Sequence, residues 1–386
     1  MIKVLTGMRR VGKSTIMRQI RDELLAGGAS PENVLYLDLD SRVDRDVTTP
    51  DALDERISLS IGDVRGQRYL FVDEIQNVEG FETVINAYRN EGVSVFITGS
   101  NSYLLSGELV TKLTGRYVKF RIFPFSFSEA REFRRLNGLR IDDRRDFDDY
   151  LVYGGLPKSF EYPEDSVREK YIRSVLEETK EKDILMMNDV RDRHLLDGIM
   201  RYLASAPGAG ISSTSIKKYL VAEGVRTTPA TVQRYLDMIF ASYVASKCER
   251  FDVVGKKALK TLYKSYLADP SLHTLVSGRR DRLDYGMLVE NVVYNELVSR
   301  GYEVMVGKKG PYEIDFVVFR GYKKAYVQVA YRIHEDNVER EEGRLLSLKD
   351  NHPKYIISME PINIGSGGII RLHLVHDFLL GDGFTL

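Results

Sequence analysis

Strand-length apolar runs alternate along the first third of the chain with stretches whose apolar residues recur every three to four positions. The runs are Ile2–Leu5, Asn33–Asp38, the stretch YLFVD from Tyr69, Val93–Gly99 and Tyr117–Phe123. Between them, Thr15–Leu25 sets Ile16, Ile20 and Leu24 on one helical face, and Phe81–Asn90 reads as another helix. Strands that alternate with helices predict a parallel sheet covered on both faces. Residues 151–210 read mainly as helix, with Val167–Ile184 amphipathic and charged, and Pro207–Gly210 as a break.

Two short helices are predicted next. Ser212 or Ser213 caps the first, which carries Ile216, Tyr219 and Leu220 and stops at Gly224. Thr227 or Thr228 caps the second, with Pro229 in its first turn and Val232, Tyr235, Leu236 and Ile239 on its apolar face. A two-stranded hairpin around Gly255 follows, so the segment reads as a helix-turn-helix with a wing. The last hundred residues give a helix around LVENVVYNELV, strands at YEIDFVVF and AYVQVA, and an alternating LHLVH strand holding His373 and His376. The expected division is an α/β parallel-sheet domain over 1–150, a helical and winged-helix domain over 151–285, and a second α/β domain over 286–386.

A length of 386 residues agrees with two or three domains. Hydrophobic residues at 43% and charged residues at 29% fit a soluble protein with a core. Lys plus Arg and Asp plus Glu both total 56, which excludes a chain uniformly coated for nucleic acid. The charge is nevertheless uneven: residues 211–285 hold 13 basic and 7 acidic side chains, a surface for DNA or an acidic partner. The single cysteine, Cys248, excludes an internal disulfide and a multi-cysteine zinc site. No run of about 18 apolar residues predicts a membrane span, and a cytoplasmic location is expected.

Candidate chemistry begins at residues 7–14, GMRRVGKS, which match G-x-x-x-x-G-K-[ST] between a strand and a helix. Gly7 and Gly12 let the backbone N–H groups of Arg9, Arg10, Val11 and the residues after them curl around phosphates at a helix N-terminus. Lys13 then reaches the β- and γ-phosphates, the Ser14 hydroxyl ligates Mg²⁺, and Thr15 opens the helix. Sixty positions on, an apolar strand ends in Asp73 and Glu74, suited to holding Mg²⁺ through water and to deprotonating the attacking water, respectively. Ser100 and Asn101 follow a third strand, where a polar tip senses the γ-phosphate or simply ends the strand.

The segments GMRRVGKST, FVDEIQ, ITGSNS, LTGRYVKFRIFPFSFSEA and YGGLPKSF resemble the prokaryotic AAA-type ATPases, and more closely those whose C-terminal half is a domain of unknown function. The resemblance implies ATP as the nucleotide. It also implies a five-stranded parallel sheet with one strand between the phosphate-loop strand and the Asp73 strand. Arg116, in LTGR, is implied as an arginine finger or sensor, the alternative being a salt-bridged arginine at a strand start.

The middle segment points to DNA, with the second helix entering a groove and Lys256, Lys257 and Lys260 meeting phosphates, or to protein docking. Only Gln233 and Arg234 are exposed there as base readers. The tail resembles the PD-(D/E)XK nuclease core through Glu290, Asp315 and Gln328, with Glu290 and Asp315 as weak metal ligands. The lysine expected two residues after Gln328 is Ala330, with Lys323 or Lys324 as substitutes, so a degenerate fold kept for binding is favoured. Candidate partners are ATP, DNA at 211–285, and a protein or a second copy of the chain.

Overall fold

The computed structural model describes residues 1–386 apart from 63, 103–114, 189, 191, 206–209, 278–283, 334 and 361–367, with the side chains at 260, 261 and 335–339 also outside the description. The greater part of the Pro207–Gly210 break and the Lys260 side chain therefore lie outside the described residues. The chain forms two compact units, Met1–Phe123 with Ala241–Tyr243, and Pro124–Phe240 with Val244–Leu386.

The first unit holds β1 (Ile2–Thr6), α1 (Lys13–Ala26), β2 (Val34–Asp38), α2 (Pro50–Ile61), β3 (Tyr69–Asp73), α3 (Glu82–Asn90), β4 (Ser94–Gly99) and β5 (Tyr117–Arg121). All pairings are parallel, in the order β2-β3-β4-β1-β5, so β4 stands between the phosphate-loop strand and the Asp73 strand. Central strands of a parallel sheet are buried on both faces. Val4, Leu70, Val72, Val95 and Ile97 accordingly meet α2 and α3 residues such as Leu53, Ile57 and Ile85 on one side. Leu5, Met17 and Phe71 form the core under α1 on the other. The register pairs Asp38 with Asp73 and Leu5 with Thr98, which brings the carboxyl tips of four strands level.

The second unit begins with α4 (Phe127–Leu136), α5 (Asp143–Tyr153), α6 (Asp165–Glu178), α7 (Arg193–Ser205), α8 (Ser213–Ala222) and α9 (Pro229–Ala241). The hairpin β6 (Ala245–Asp252) and β7 (Lys257–Leu267) follows, then α10 (Ser271–Ser277), α11 (Tyr285–Ser299), β8 (Glu303–Lys309), β9 (Tyr312–Arg320), β10 (Lys323–Ala330), α12 (Glu335–Leu346), β11 (Lys354–Ser358) and β12 (Ile370–His373). Ser212 caps α8 through a capping box, and Thr228 accepts from Thr231 N at 3.1 Å at the start of α9. Val232, Tyr235, Leu236 and Ile239 are buried, as the 3.6-residue period requires.

Three expectations are corrected here. The hairpin is not a free wing: β6 also pairs in parallel with β8, and β7 forms the edge of a seven-stranded sheet ordered β12-β11-β10-β9-β8-β6-β7. The compact division falls after Phe123 rather than at 150, because Phe127, Phe147, Tyr150 and Leu151 of α4 and α5 join the core formed by α11 and this sheet. Strand β12 ends at His373, and Leu374–Leu379 turns as a π-helix whose first amides, Val375 N and His376 N, donate to His373 Nδ1 at 3.2 Å. No helix among the described residues is long and apolar enough to cross a membrane.

Candidate nucleotide site

The loop from β1 to α1 is built by backbone geometry that side chains resist. Gly7 has φ +152° and Gly12 φ +101°. A Cβ on Gly7 would collide with the Ile122 carbonyl oxygen, so this position takes only glycine. Arg10 occupies the left-handed region at φ +66°, exposed, whereas Arg9 is buried. The two arginines, alike in sequence, thus point to different surroundings. Val11 packs inward, Ser14 is half-buried and Thr15 is exposed. The N-terminus of α1 has no side-chain cap and no acidic residue in its first turn, which leaves its amides to an anion. Lys13 Nζ donates to Gly7 O at 3.0 Å and Met8 O at 3.1 Å, and the side chain is buried.

Facing the loop, Asp73 and Glu74 leave β3 in different states. Asp73 is buried, accepts from Tyr36 OH at 3.1 Å on Oδ2, and accepts the Thr98 hydroxyl on Oδ1. Thr98 Oγ1 in turn accepts from Glu74 N at 2.9 Å, so one β4 hydroxyl fixes both acidic residues. Glu74 sits in the left-handed region at φ 55°, ψ 47°, a conformation that costs a non-glycine residue ~1–3 kcal/mol. Burial holds its carboxyl above the usual range, while Lys13, a hydrogen bond from Gln76 and Arg9 pull it back and Asp73 pushes it further up. Asp38, level with Asp73, is also raised, first by burial and then by the Asp73 charge, and Arg18 approaches it at 3.4 Å. Two neighbouring carboxylates, Asp73 and Asp38, are oxygen donors of the kind that suit Mg²⁺ carrying its own waters and phosphates.

Ser100 and Asn101 are buried just past the tip of β4, on the same edge. Arg116 is not brought to this site. Ile2 N donates to Arg116 O at 2.9 Å, which puts it at the amino edge of the sheet, a strand length (~16 Å) from the phosphate loop. Its Nη1 donates to Asn86 Oδ1 at 3.2 Å. Thr98, Tyr36 and Gln76 were missed in the sequence. Their signal is positional: Thr98 lies near the tip of β4, Gln76 lies three residues past the tip of β3, and Tyr36 lies mid-strand in the neighbouring β2, from where its hydroxyl reaches Asp73.

In the second unit, Gln328 Nε2 donates to Asp315 Oδ2 at 2.6 Å, and Val329 N donates to the same oxygen at 2.8 Å. The lysine of this cluster comes from β7. Lys264 Nζ lies 3.0 Å from Glu290 Oε1 and 2.9 Å from Glu313 Oε1, and Tyr266 OH donates to Glu290 at 2.7 Å. Lys323 and Lys324 are engaged elsewhere, with Leu386 O and Asp350. Among the described residues no group of three or more His, Cys, Asp or Glu side chains is placed to hold a metal ion. An ammonium lies against Glu290, which was expected with Asp315 as a weak metal ligand. Burial, then Glu290, raises Asp315 to about 8. Cys248 is buried with its thiol pushed up by burial, a packing residue.

Fold and loop together define a P-loop domain, a five-stranded parallel α/β sheet, followed by a second unit. The model described as "AAA domain" matches residues 1–131, and that described as "Domain of unknown function (DUF8612)" matches residues 144–283. The chain belongs to the family of an uncharacterized protein of Haemophilus influenzae, to which it is 35% identical over 359 residues, 92% of this chain and 88% of that one. It is 25% identical over 356 residues to uncharacterized protein MJ1544 of Methanocaldococcus jannaschii, covering 88% of this chain and 77% of that one. Among solved structures, the Aeropyrum pernix ORC1 protein in complex with DNA is 14% identical over 72% of this chain and 86% of that chain, at a TM-score of 0.30.

Proposed function

We propose that the first unit hydrolyses ATP with Mg²⁺, and that the cycle gates what the second unit binds. The reading is carried by one observation: a strained, half-buried Glu74 held within the field of Lys13, beside a glycine loop that opens a helix with no side-chain N-cap. Loop amides and Lys13 would hold the phosphates. Ser14 and Asp73, with Asp38 nearby, would hold Mg²⁺, which supplies charge neutralisation on the β- and γ-phosphate oxygens. Glu74 takes a proton from water as its oxygen bonds to the γ-phosphorus. The bond from that phosphorus to the β–γ bridging oxygen breaks, ADP leaves with the electron pair, and the proton passes on to phosphate.

Phosphate release tests this directly. Lys13→Ala should lose nucleotide binding by calorimetry. Glu74→Gln should keep binding and lose turnover by ~10²-fold or more. Unchanged turnover in Glu74→Gln would remove the base assignment.

In this reading the gated partner is nucleic acid met at residues 211–285, where Lys256 and Lys257 are exposed. The proposed contact is with the phosphate backbone. The expected base readers are engaged internally, Gln233 with Asp237 at 2.9 Å and Arg234 with Asn188 O at 3.4 Å.

A further inference from the structure

Gln76 stands three residues past Asp73 and two past Glu74, and its carboxamide faces the proposed base. Nε2 donates to Glu74 Oε2. That contact fixes the amide's orientation, since the reverse would set two acceptors against each other. The other end is left over: Gln76 Oε1 is buried and has no hydrogen-bond partner. A buried amide oxygen without a donor costs ~1–3 kcal/mol, and an apolar side chain of the same size would avoid that cost. Its neighbour is a carboxylate that is half-buried and strained. Gln76 Oε1 thus adds a second acceptor oxygen beside the Glu74 carboxylate. Water is a donor of the right valence: two hydrogens for two acceptors. A water held that way has both hydrogens fixed and a lone pair directed away from both acceptors, as an in-line attack requires.

We propose that Gln76 is a positioning residue for hydrolysis: its Nε2 holds the Glu74 carboxylate in place, and its Oε1 takes the second hydrogen of the attacking water. The proposal rests on the ATPase reading above. Gln76 gains and loses no proton; only Glu74 does. Removing it disorders the nucleophile and leaves phosphate binding to the loop untouched.

The experiment compares Gln76→Met, which keeps the volume and deletes both polar ends, with Gln76→Asn, which keeps both ends one methylene short. Each is assayed for kcat and KM for ATP, for ADP affinity, and for the affinity of ADP with aluminium fluoride, a mimic of the planar phosphoryl group with its in-line water. Gln76→Met should lower kcat ~10–100-fold and weaken the aluminium fluoride complex by a similar factor, with KM and ADP affinity within about twofold of wild type. Gln76→Asn should recover part of the loss. A variant that binds ADP normally, turns over at the wild-type rate and binds aluminium fluoride equally well overturns the proposal. So does a loss that falls on ADP affinity alone, which marks a merely structural side chain. If Gln76→Met fails to bind ADP for want of folding, the same readings on Gln76→Asn decide, with wild-type kcat and aluminium fluoride affinity counting against the proposal. Glu74→Gln in parallel separates the two claims: full turnover there defeats the ATPase reading itself, whereas a dead Glu74→Gln beside an unimpaired Gln76→Met defeats only the role of Gln76.

Discussion

At the scale of single residues, the phosphate loop and the Asp73–Glu74 pair were legible because their chemistry needs fixed residue types at fixed spacing. Thr98 was not, because in VFITG it reads as one more β-branched strand residue. Only the register reveals that its hydroxyl donates to Asp73 and accepts from Glu74 N. Thr98→Val keeps the shape and deletes both bonds. It leaves the Glu74 amide unpaired in the strained turn, so it should cost ~1–3 kcal/mol in the first unit and lower kcat. Denaturant titration and phosphate release check the two effects. A variant of wild-type stability and rate would mean that Asp73 and Glu74 hold their places without β4.

At the scale of elements, the hairpin carries the clearest lesson. Its sequence shows two strands and a turn, but not whether they stand free. Parallel pairing of β6 with β8 turns the expected wing into a sheet edge and delivers Lys264 to Glu290 and Glu313. No local pattern could have placed that lysine, since its partners lie 26 and 49 positions away on a helix and another strand. The neighbouring Asp315 gives the cluster a pH signature. Its folded-state value near 8 lies above that of an unfolded carboxyl, so between about pH 4 and 8 the folded protein binds the proton more strongly than the unfolded chain. Stability of the second unit should therefore fall as pH rises through that window. Thermal melts at pH 5 and 8 should show the fall in the wild type and a flatter slope in Asp315→Asn, which keeps an acceptor for Val329 N and cannot ionise. An equal slope in both would place the titrating group elsewhere.

At the scale of the whole molecule, the helices α4 and α5 show why a boundary is harder to read than a motif. Amphipathic periodicity says that a helix has a buried face, never which core it faces, and Phe127 and Phe147 face the second unit's core. The YGGLP segment is legible only in hindsight. Gly155 N donates to the buried Asp269 at 2.7 Å, and a Cβ there would strike the Phe125 carbonyl. Charge was readable from the start, and it carries the remaining prediction. If the excess of basic residues over 211–285 serves nucleic acid, its affinity must fall with salt, because each phosphate neutralised releases counterions. Replacing exposed Lys256 and Lys257 with Gln should lower the log–log slope of DNA affinity against salt by up to about 2, measured by anisotropy of a labelled duplex. Coupling is then tested by reciprocity. With Glu74→Gln holding ATP unhydrolysed, the factor by which ATP changes DNA affinity must equal the factor by which DNA changes ATP affinity. A slope indifferent to the lysines would turn the basic segment towards a protein partner. Salt-dependent binding with a coupling factor of one would leave two functions sharing a chain, neither gating the other.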